Sequence, residues 1–320
     1  MKTINWDKLD IAVVIPCYNE ELTIEKVISD FRLQLPSAKI IVFDNNSTDQ
    51  SYQLAIQAGA EVIKEKRQGK GYVVAAILAK VDAEYYVMVD GDDTYPAEDV
   101  HKLLEPIVLE QADMIVGQRL SNYTEEAFRS LHHIGNRVIC RLINSVFSTR
   151  LTDPMSGYRS FSREIADNLP IVASGSDVET EMTLQLLYRN YIIKEVVIPY
   201  RARPEGSESK LRTFRDGFVV VTKIINIFKA YKPLTFFGSL ASIFALFGIF
   251  LGYFVVSEYI LYQYIYSVPK AILATGCMLV AMNLISVGLI LSTLKFRLLE
   301  VDNVLTKQIL RYRSNRSDQQ

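Results

Sequence analysis

The chain has 320 residues, a formal charge of −1 and 49% hydrophobic residues, enough for one large domain and an appendage. Its three cysteines, Cys17, Cys140 and Cys277, lack metal-ligand spacing, which argues against a zinc site or a disulfide framework and for reduced core thiols. Lys and Arg dominate from Arg201 onward outside the apolar runs but lack interleaved stacking aromatics, which argues against nucleic acid as a partner.

Asp7, Lys8 and Asp10 interrupt any apolar leader, so the first domain is expected to stay in the cytosol. Residues 11–15 form a short apolar run ended by Pro16; Tyr18, Asn19, Glu20 and Glu21 follow, then an amphipathic stretch over residues 22–33. A second apolar run, residues 40–43, ends in Asp44-Asn45-Asn46-Ser47-Thr48-Asp49, before a helix over 50–58 with Ser47 or Asp49 as its cap. A third strand, residues 61–64, leads to Arg67-Gln68-Gly69-Lys70-Gly71 and a helix over 72–79. Alternating strands and helices predict a parallel sheet with helices on both faces, whose ligands bind outside the carboxyl ends of the strands. The first strand lacks Gly-x-Gly-x-x-Gly, and Gly69-Lys70-Gly71 lacks the earlier glycine of a Walker A loop, so neither a dinucleotide fold nor a P-loop is indicated.

Residues 85–96 organise the rest: an apolar run rich in Val and Tyr opens into Asp90, Asp92 and Asp93. Gly91 is expected to bend the backbone so that Asp90 and Asp92 face one point. Paired carboxylates suit Mg²⁺ or Mn²⁺ bridging a diphosphate; taken alone, the same run suits an acidic surface turn equally well.

Residues 113–119 form another buried strand ending in Gly117 and Arg119, and residues 128–147 are helical in period and carry Arg129, Arg137 and Arg141. Residues 152–159, from Thr152 to Arg159, form a turn-rich loop. The helix after Asp177 has Glu179 and Glu181 in its first turn, which suits the helix dipole without any function. A strand over 192–198 precedes Arg201, Arg203, Ser209 and Lys210.

Residues 233–257 and 271–294 contain no charge, and each run exceeds the ~20 residues that cross a bilayer core. Tyr259, Tyr262, Tyr264 and Tyr266 lie between them, while Lys223, Lys229, Lys232, Lys295 and Arg297 flank the pair, which places both outer flanks in the cytoplasm. Phe214, Phe218, Val221, Ile225 and Phe228 recur at helical spacing and predict an amphipathic helix in the headgroup plane or, alternatively, a packed core helix. Leu298, Val301, Leu305 and Ile309 form a second such stripe, for the membrane surface or another subunit.

With these motifs the chain resembles the family 2 glycosyltransferases that act on polyprenyl phosphates, such as dolichyl-phosphate mannose synthases and bacterial undecaprenyl-phosphate glucosyltransferases. The resemblance covers nearly all of the chain. It implies a GT-A Rossmann-like α/β fold, with a mostly parallel sheet and helices on both faces, followed by interfacial helices and a two-helix transmembrane hairpin. It implies that Pro16, Tyr18, Asn19 and Glu20, the Asp44-x-x-Ser47-x-Asp49 loop and Lys70 surround the nucleotide. Asp90, Gly91 and Asp92 match the Asp-x-Asp metal motif for Mg²⁺ or Mn²⁺. Asp153, with Ser156-Gly157-Tyr158-Arg159, matches a loop at the reaction centre. Arg119, Arg137, Arg201, Arg203, Ser209 and Lys210 are expected near the acceptor phosphate, and Glu179 and Glu181 within reach of the sugar, although a helix start explains these two equally well. The only tryptophan is Trp6, so the Gln-x-x-Arg-Trp motif of processive polymerases is absent.

The implied reaction is inverting transfer of a hexose, glucose or N-acetylglucosamine, from a UDP-sugar to undecaprenyl phosphate, with Asp153, Asp92 and Arg119 as catalytic candidates. The implied division is a cytosolic catalytic domain over 1–211, a juxtamembrane helix over 212–232, spans over 233–257 and 271–294 joined by an extracytoplasmic loop over 258–270, and a cytosolic helix and tail over 295–320. A multi-pass protein of the inner (plasma) membrane with both termini in the cytoplasm follows; members with such hairpins can assemble as homo-oligomers, including tetramers. The rival readings are a transferase with a lipid hydroxyl acceptor and a non-catalytic membrane scaffold that retains the fold.

Overall fold

The computed structural model describes residues 4–120, 129–175, 177–201, 225–226 and 228–317. The chain divides into two units, residues 1–217 and 218–320. The first is built on β1 (Ile11–Cys17), β2 (Lys39–Asp44), β3 (Glu61–Lys64), β4 (Tyr85–Met88), β5 (Met114–Leu120), β6 (Arg159–Ser162) and β7 (Ile193–Pro199). Its helices are α1 (Ile24–Gln34), α2 (Ser51–Gln57), α3 (Lys70–Lys80), α4 (Val100–Val108), α5 (Arg129–Phe147), α6 (Arg163–Asn168) and α7 (Val178–Tyr188).

The strands form one sheet in the order β3-β2-β1-β4-β6-β5-β7. All pairs are parallel except those of β6, which runs antiparallel to both β4 and β5. β1 is buried at every position, as its unbroken apolar run requires of a central strand with both faces covered. The strand runs through Pro16 to Cys17 rather than ending at the proline. Alternate residues serve opposite cores. Ile11, Val13 and Ile15 pack with α1 and α4 through Val27, Phe31, Leu103 and Leu104; Ala12 and Val14 pack with α3 and α7 through Val74, Ile77 and Met182. The α1 stripe of Ile24, Val27, Ile28 and Phe31 follows the 3.6-residue period, and each such side chain, fully buried, contributes about 1.5–3 kcal/mol.

Two elements depart from the sequence reading. α4 has no counterpart in it, and Arg159, which the turn-rich pattern places in a loop, opens β6 opposite Met88 and Val116. This inserted antiparallel strand brings residues 153–158 to the carboxyl edge of the parallel strands. That edge therefore gathers the chain following β1, β2, β3, β4, β5 and β7 together with the loop before β6.

The second unit contains α8 (Pro233–Tyr262) and α9 (Val268–Ser317). Pro233–Tyr262 and Val268–Leu298 are each long and apolar enough to cross a bilayer, and only 17% of the apolar window of each is buried. Besides Pro233 and Cys277, the buried positions recur every seven residues: Ala241, Gly248 and Val255 on α8, and Ala274, Ala281 and Gly288 on α9. A Cβ on Gly248 would stand 3.2 Å from the Ala274 carbonyl oxygen, so glycine sets the approach of the two helices. The uncharged run over 271–294 lies inside a longer helix that continues unbroken to Ser317. The expected 258–270 loop is shortened because α8 extends to Tyr262, where Gln263 adopts a left-handed conformation (φ 53°) and donates to the Tyr259 carbonyl. Of the expected juxtamembrane helix, residues 225–226 and 228–231 are helical; 212–224 and 227 lie outside the described residues.

Candidate active site

The loops after β1 and β2 interlock. Asn19, at φ 53°, donates its backbone N–H to Ser47 Oγ (3.0 Å), and its side-chain oxygen accepts from the Thr48 N–H (2.8 Å). Glu20 N–H donates to Ser51 Oγ (2.7 Å), and Ser51 Oγ–H donates to Asp49 Oδ1 (2.6 Å). Ser47 and Asp49 therefore join two loops, and the N-cap of α2 is Gln50. Asp44 is buried at the end of β2 and accepts from the Ser47 N–H (3.3 Å). Pro16 is buried, and Tyr18 and Glu20 are partly exposed at the rim beside these loops.

Asn45, next to Asp44, is buried and was not singled out from sequence. It donates to the carbonyls of Glu65 (3.1 Å) and Arg67 (2.7 Å), and its side-chain oxygen accepts from the Gly69 N–H (2.7 Å). One amide thus fixes the turn that presents Lys70. The signal available was slight: an Asn at a strand end within a polar run. Gly69 (φ 137°) and Gly71 are required by close approach, because a Cβ would meet the carbonyl oxygens of Ser174 at 2.0 Å and Ala173 at 1.9 Å.

Lys70 Nζ lies 2.5 Å from Asp90 Oδ1 and also pairs with Glu179. Burial alone would lower its pKa, but the carboxylates of Asp90 and Glu179 outweigh burial and hold it well above the ordinary lysine value, so the ammonium is a fixed charge. Asp90 is about a quarter exposed (26%), while Asp92 is buried and accepts from Thr94 Oγ1–H (2.6 Å) and the Thr94 N–H (3.2 Å). The left-handed bend of this turn falls at Asp93 (φ 54°) rather than at Gly91. Gly91 instead meets packing on three sides: a Cβ there would stand 3.4 Å from Ile24, 3.5 Å from Ile15 and 3.7 Å from Glu20. Asp90 and Asp92 offer hard carboxylate oxygens, which suit Mg²⁺ or Mn²⁺. Among the described residues no group of three or more His, Cys, Asp or Glu forms a cage. Two carboxylates by themselves match in chemistry a Mg²⁺ held by one or two carboxylates plus phosphate oxygens.

Across the edge, Asp153 is buried and held bidentately by Arg119: Nε to Oδ2 is 2.6 Å and a terminal nitrogen to Oδ1 is 2.8 Å. Burial acts to lower the Arg119 pKa, but Asp153 and neighbouring groups keep it raised, so this guanidinium is a permanent cation. Glu195 accepts from the Asp153 N–H (2.6 Å) and from Thr152 N–H and Oγ1–H, which anchors the loop to β7. A glutamate in the middle of the apolar run Ile-Lys-Glu-Val-Val-Ile was the signal in the sequence. On its other side, Tyr95 OH accepts from the Gly157 N–H (3.1 Å), and Gly157 packs against Asp90: a Cβ there would meet Asp90 Oδ2 at 2.4 Å. Arg201 lies at the same turn, 3.7 Å from Asp93 and 3.3 Å from Glu98, with its N–H on the Thr94 carbonyl (2.9 Å).

Glu179 and Glu181 are placed apart. Glu179 is buried against Lys70. The Glu181 carboxylate accepts from the N–H groups of Val172 (3.0 Å) and Ala173 (2.7 Å), so it holds the segment that covers Gly69 and Gly71. Arg137 lies on α5, where the side chain is outside the description; Arg203, Ser209 and Lys210 lie outside the described residues. The structure thus brings together Asp44, Ser47 and Asp49 with Asn19 and Glu20; Lys70 with Asp90 and Glu179; and Asp153 with Arg119.

Residues 12–169 match the family described as glycosyl transferase family 2. The chain is 35% identical over 253 residues to glycosyltransferase AglJ of Haloferax volcanii, covering 78% of this chain and 82% of that one. It is 32% identical over 219 residues to a dolichyl-phosphate hexose transferase of the same organism, covering 68% and 93%. Among solved structures, glucosyl-3-phosphoglycerate synthase from Mycobacterium tuberculosis, in complex with Mn²⁺, UDP-glucose and phosphoglyceric acid, superposes with a TM-score of 0.57 at 23% identity, over 70% of this chain and 80% of that one. At that identity the likeness shows the shared fold.

Proposed function

The chain belongs to glycosyl transferase family 2, and from that premise we propose that it moves a hexose, glucose or N-acetylglucosamine, from a UDP-sugar to polyprenyl phosphate at the cytoplasmic face of a membrane. The observation that carries this reading is the meeting, on one sheet edge, of the Lys70–Asp90–Glu179 cluster with the Arg119–Asp153 pair. The similarity to a dolichyl-phosphate hexose transferase and the two apolar helices support a lipid phosphate as acceptor.

The Asp44–Asp49 loop, with Asn19 and Glu20, would take the nucleoside, and Lys70 would present a fixed positive charge to the diphosphate. Asp90 and Asp92 would hold Mg²⁺ or Mn²⁺, an ion that stabilises negative charge on a leaving diphosphate when bound. One oxygen of the lipid phosphate attacks the anomeric carbon as the bond to the UDP oxygen breaks, with inversion. That phosphate has a second pKa of about 6, by analogy with phosphoserine, and is already largely anionic. No strong base is needed, which agrees with an Asp153 engaged by Arg119: its role is to align. Arg119, Arg201 and Arg203 offset the repulsion between the two anions. Glu179 acts by orienting Lys70.

The test offers membranes containing the purified chain a panel of UDP-sugars with undecaprenyl phosphate and Mg²⁺ or Mn²⁺, and reads the lipid by mass spectrometry. A sugar phosphodiester whose formation stops on chelation is expected. A sugar on a lipid hydroxyl overturns the acceptor assignment, and no product from any donor overturns the reading.

A further inference from the structure

We propose that Arg159 is the positioning residue of the reaction centre. Buried beneath the 153–157 loop, its guanidinium ties that loop to α7 and thereby sets where Asp153 stands relative to Lys70. This inference rests on the transfer reading above.

Arg159 is fully buried, the largest side chain among the described residues to be so. Its Nε donates to the Ser156 carbonyl (2.8 Å), and one terminal nitrogen donates to the Pro154 carbonyl (2.5 Å). The other donates to Thr183 Oγ1 (2.9 Å) and touches Met114 Sδ (3.7 Å). Thr183 lies on α7, and its hydroxyl lies within hydrogen-bond distance of the carbonyls of Pro154 (3.1 Å) and Glu179 (3.0 Å). One planar fork therefore joins both flanks of the loop to the helix turn that carries Glu179, the partner of Lys70.

No carboxylate among the described residues forms an ion pair with this guanidinium. Burial pulls its pKa down to about 10, while the charges of Glu179 and Asp153 act the other way. A cation in such a place is costly to bury, and its contacts are backbone carbonyls and a hydroxyl rather than a counter-charge. What they provide is geometry. Three donor directions fixed in one plane hold three acceptors in register, which a point ammonium does not reproduce. From the loop, order passes outward through Asp153 to Arg119; from α7 it passes through Glu179 to Lys70 and Asp90. Arg159 touches none of the expected reacting atoms and acts through these residues.

The test compares Arg159→Lys and Arg159→Gln with the wild type for kcat, donor KM and folded fraction, using the full chain in detergent with a UDP-sugar and undecaprenyl phosphate. Displacement of a reacting group by about 1 Å costs on the order of 100-fold in rate. Both variants are therefore expected to lose about that factor in kcat per folded molecule, with donor KM changed less than about threefold. Wild-type kcat in either variant overturns the proposal, because Lys keeps the charge and loses only the fork. A loss that disappears when scaled to folded protein shows a merely structural role and also overturns it. Should neither variant fold, Thr183→Val decides, since it keeps Arg159 and removes one of its acceptors: about a tenfold fall in kcat at unchanged KM is expected, and wild-type kcat overturns the proposal. A wild type inactive toward the lipid phosphate defeats the transfer reading instead.

Discussion

Gly71→Ala sets two effects against each other. Alanine in the first turn of α3 would by helix propensity stabilise the protein by about 1 kcal/mol. The added Cβ, however, would stand 1.9 Å from the Ala173 carbonyl oxygen and 2.6 Å from its carbon. These are backbone atoms, which cannot swing aside as a side-chain tip can, so the 172–174 segment must retreat. Retreat pulls the Val172 and Ala173 N–H groups from the Glu181 carboxylate, where they sit at 3.0 and 2.7 Å. Overpacking costs about 1–3 kcal/mol, and each charge-assisted bond is worth about 1.5–3 kcal/mol. With partial relaxation and the propensity gain, a net loss of about 2 kcal/mol remains, which lowers Tm by about 5 °C for a unit of this size. Lys70 precedes Gly71, so the same shift disturbs its pairs with Asp90 and Glu179, and donor kcat/KM should fall by about tenfold or more. Thermal unfolding followed by circular dichroism and a donor titration measure both. A Tm equal to or above wild type would mean that propensity wins and that the covering segment does not press on the Lys70 turn.

Other perturbations test separate parts of the site and fold. Asp153→Asn removes the charge facing Arg119 and should lower kcat by about 100-fold through lost alignment while costing about 3 kcal/mol of stability, the low end for a pair whose arginine is partly exposed; less than a tenfold fall in kcat would remove Asp153 from the reaction centre. Tyr158 OH is buried with no hydrogen-bond partner among the described residues, so Tyr158→Phe should leave stability unchanged or raise it by up to about 1 kcal/mol in chemical denaturation. Burial holds His101 below the ordinary histidine value, against the pull of the Gln34 carbonyl. Unfolding then frees a group that binds a proton more readily, so the stability that neutral His101 supports is present above the ordinary histidine pKa and is lost as pH falls below it. The Tm of the wild type should therefore drop more between pH 7 and pH 5 than that of His101→Phe; parallel curves would refute this assignment.

Much of the architecture was legible along the chain because hydrophobic period and strand-end chemistry are local. The all-apolar β1, the α1 stripe and the polar clusters after β1, β2 and β4 are each written in contiguous residues. So are the two uncharged stretches that became α8 and α9. The antiparallel β6 was not legible: Arg-Ser-Phe-Ser carries no alternation that distinguishes it from the turn before it, and its place between β4 and β5 depends on pairing with strands far away in sequence. The acidic first turn of α7 suits the helix dipole or a sugar ligand equally in sequence, and no local pattern records that Glu179 meets Lys70 and Glu181 meets the covering segment.

The sequence by itself determined which residue types stand at the carboxyl edge, since short apolar runs ending in carboxylates, amides and lysine can expose those groups only where the strands stop. Which of them share a contact was decided by tertiary structure alone. Lys70 with Glu179, Asn45 with Gly69, Arg119 with Asp153, and Arg159 with Thr183 are each joined by 24 to 109 residues of intervening separation. Burying an amide, a lysine or a guanidinium is tolerable only where the packed chain delivers its hydrogen-bond partner, and no local pattern records where that partner will come from.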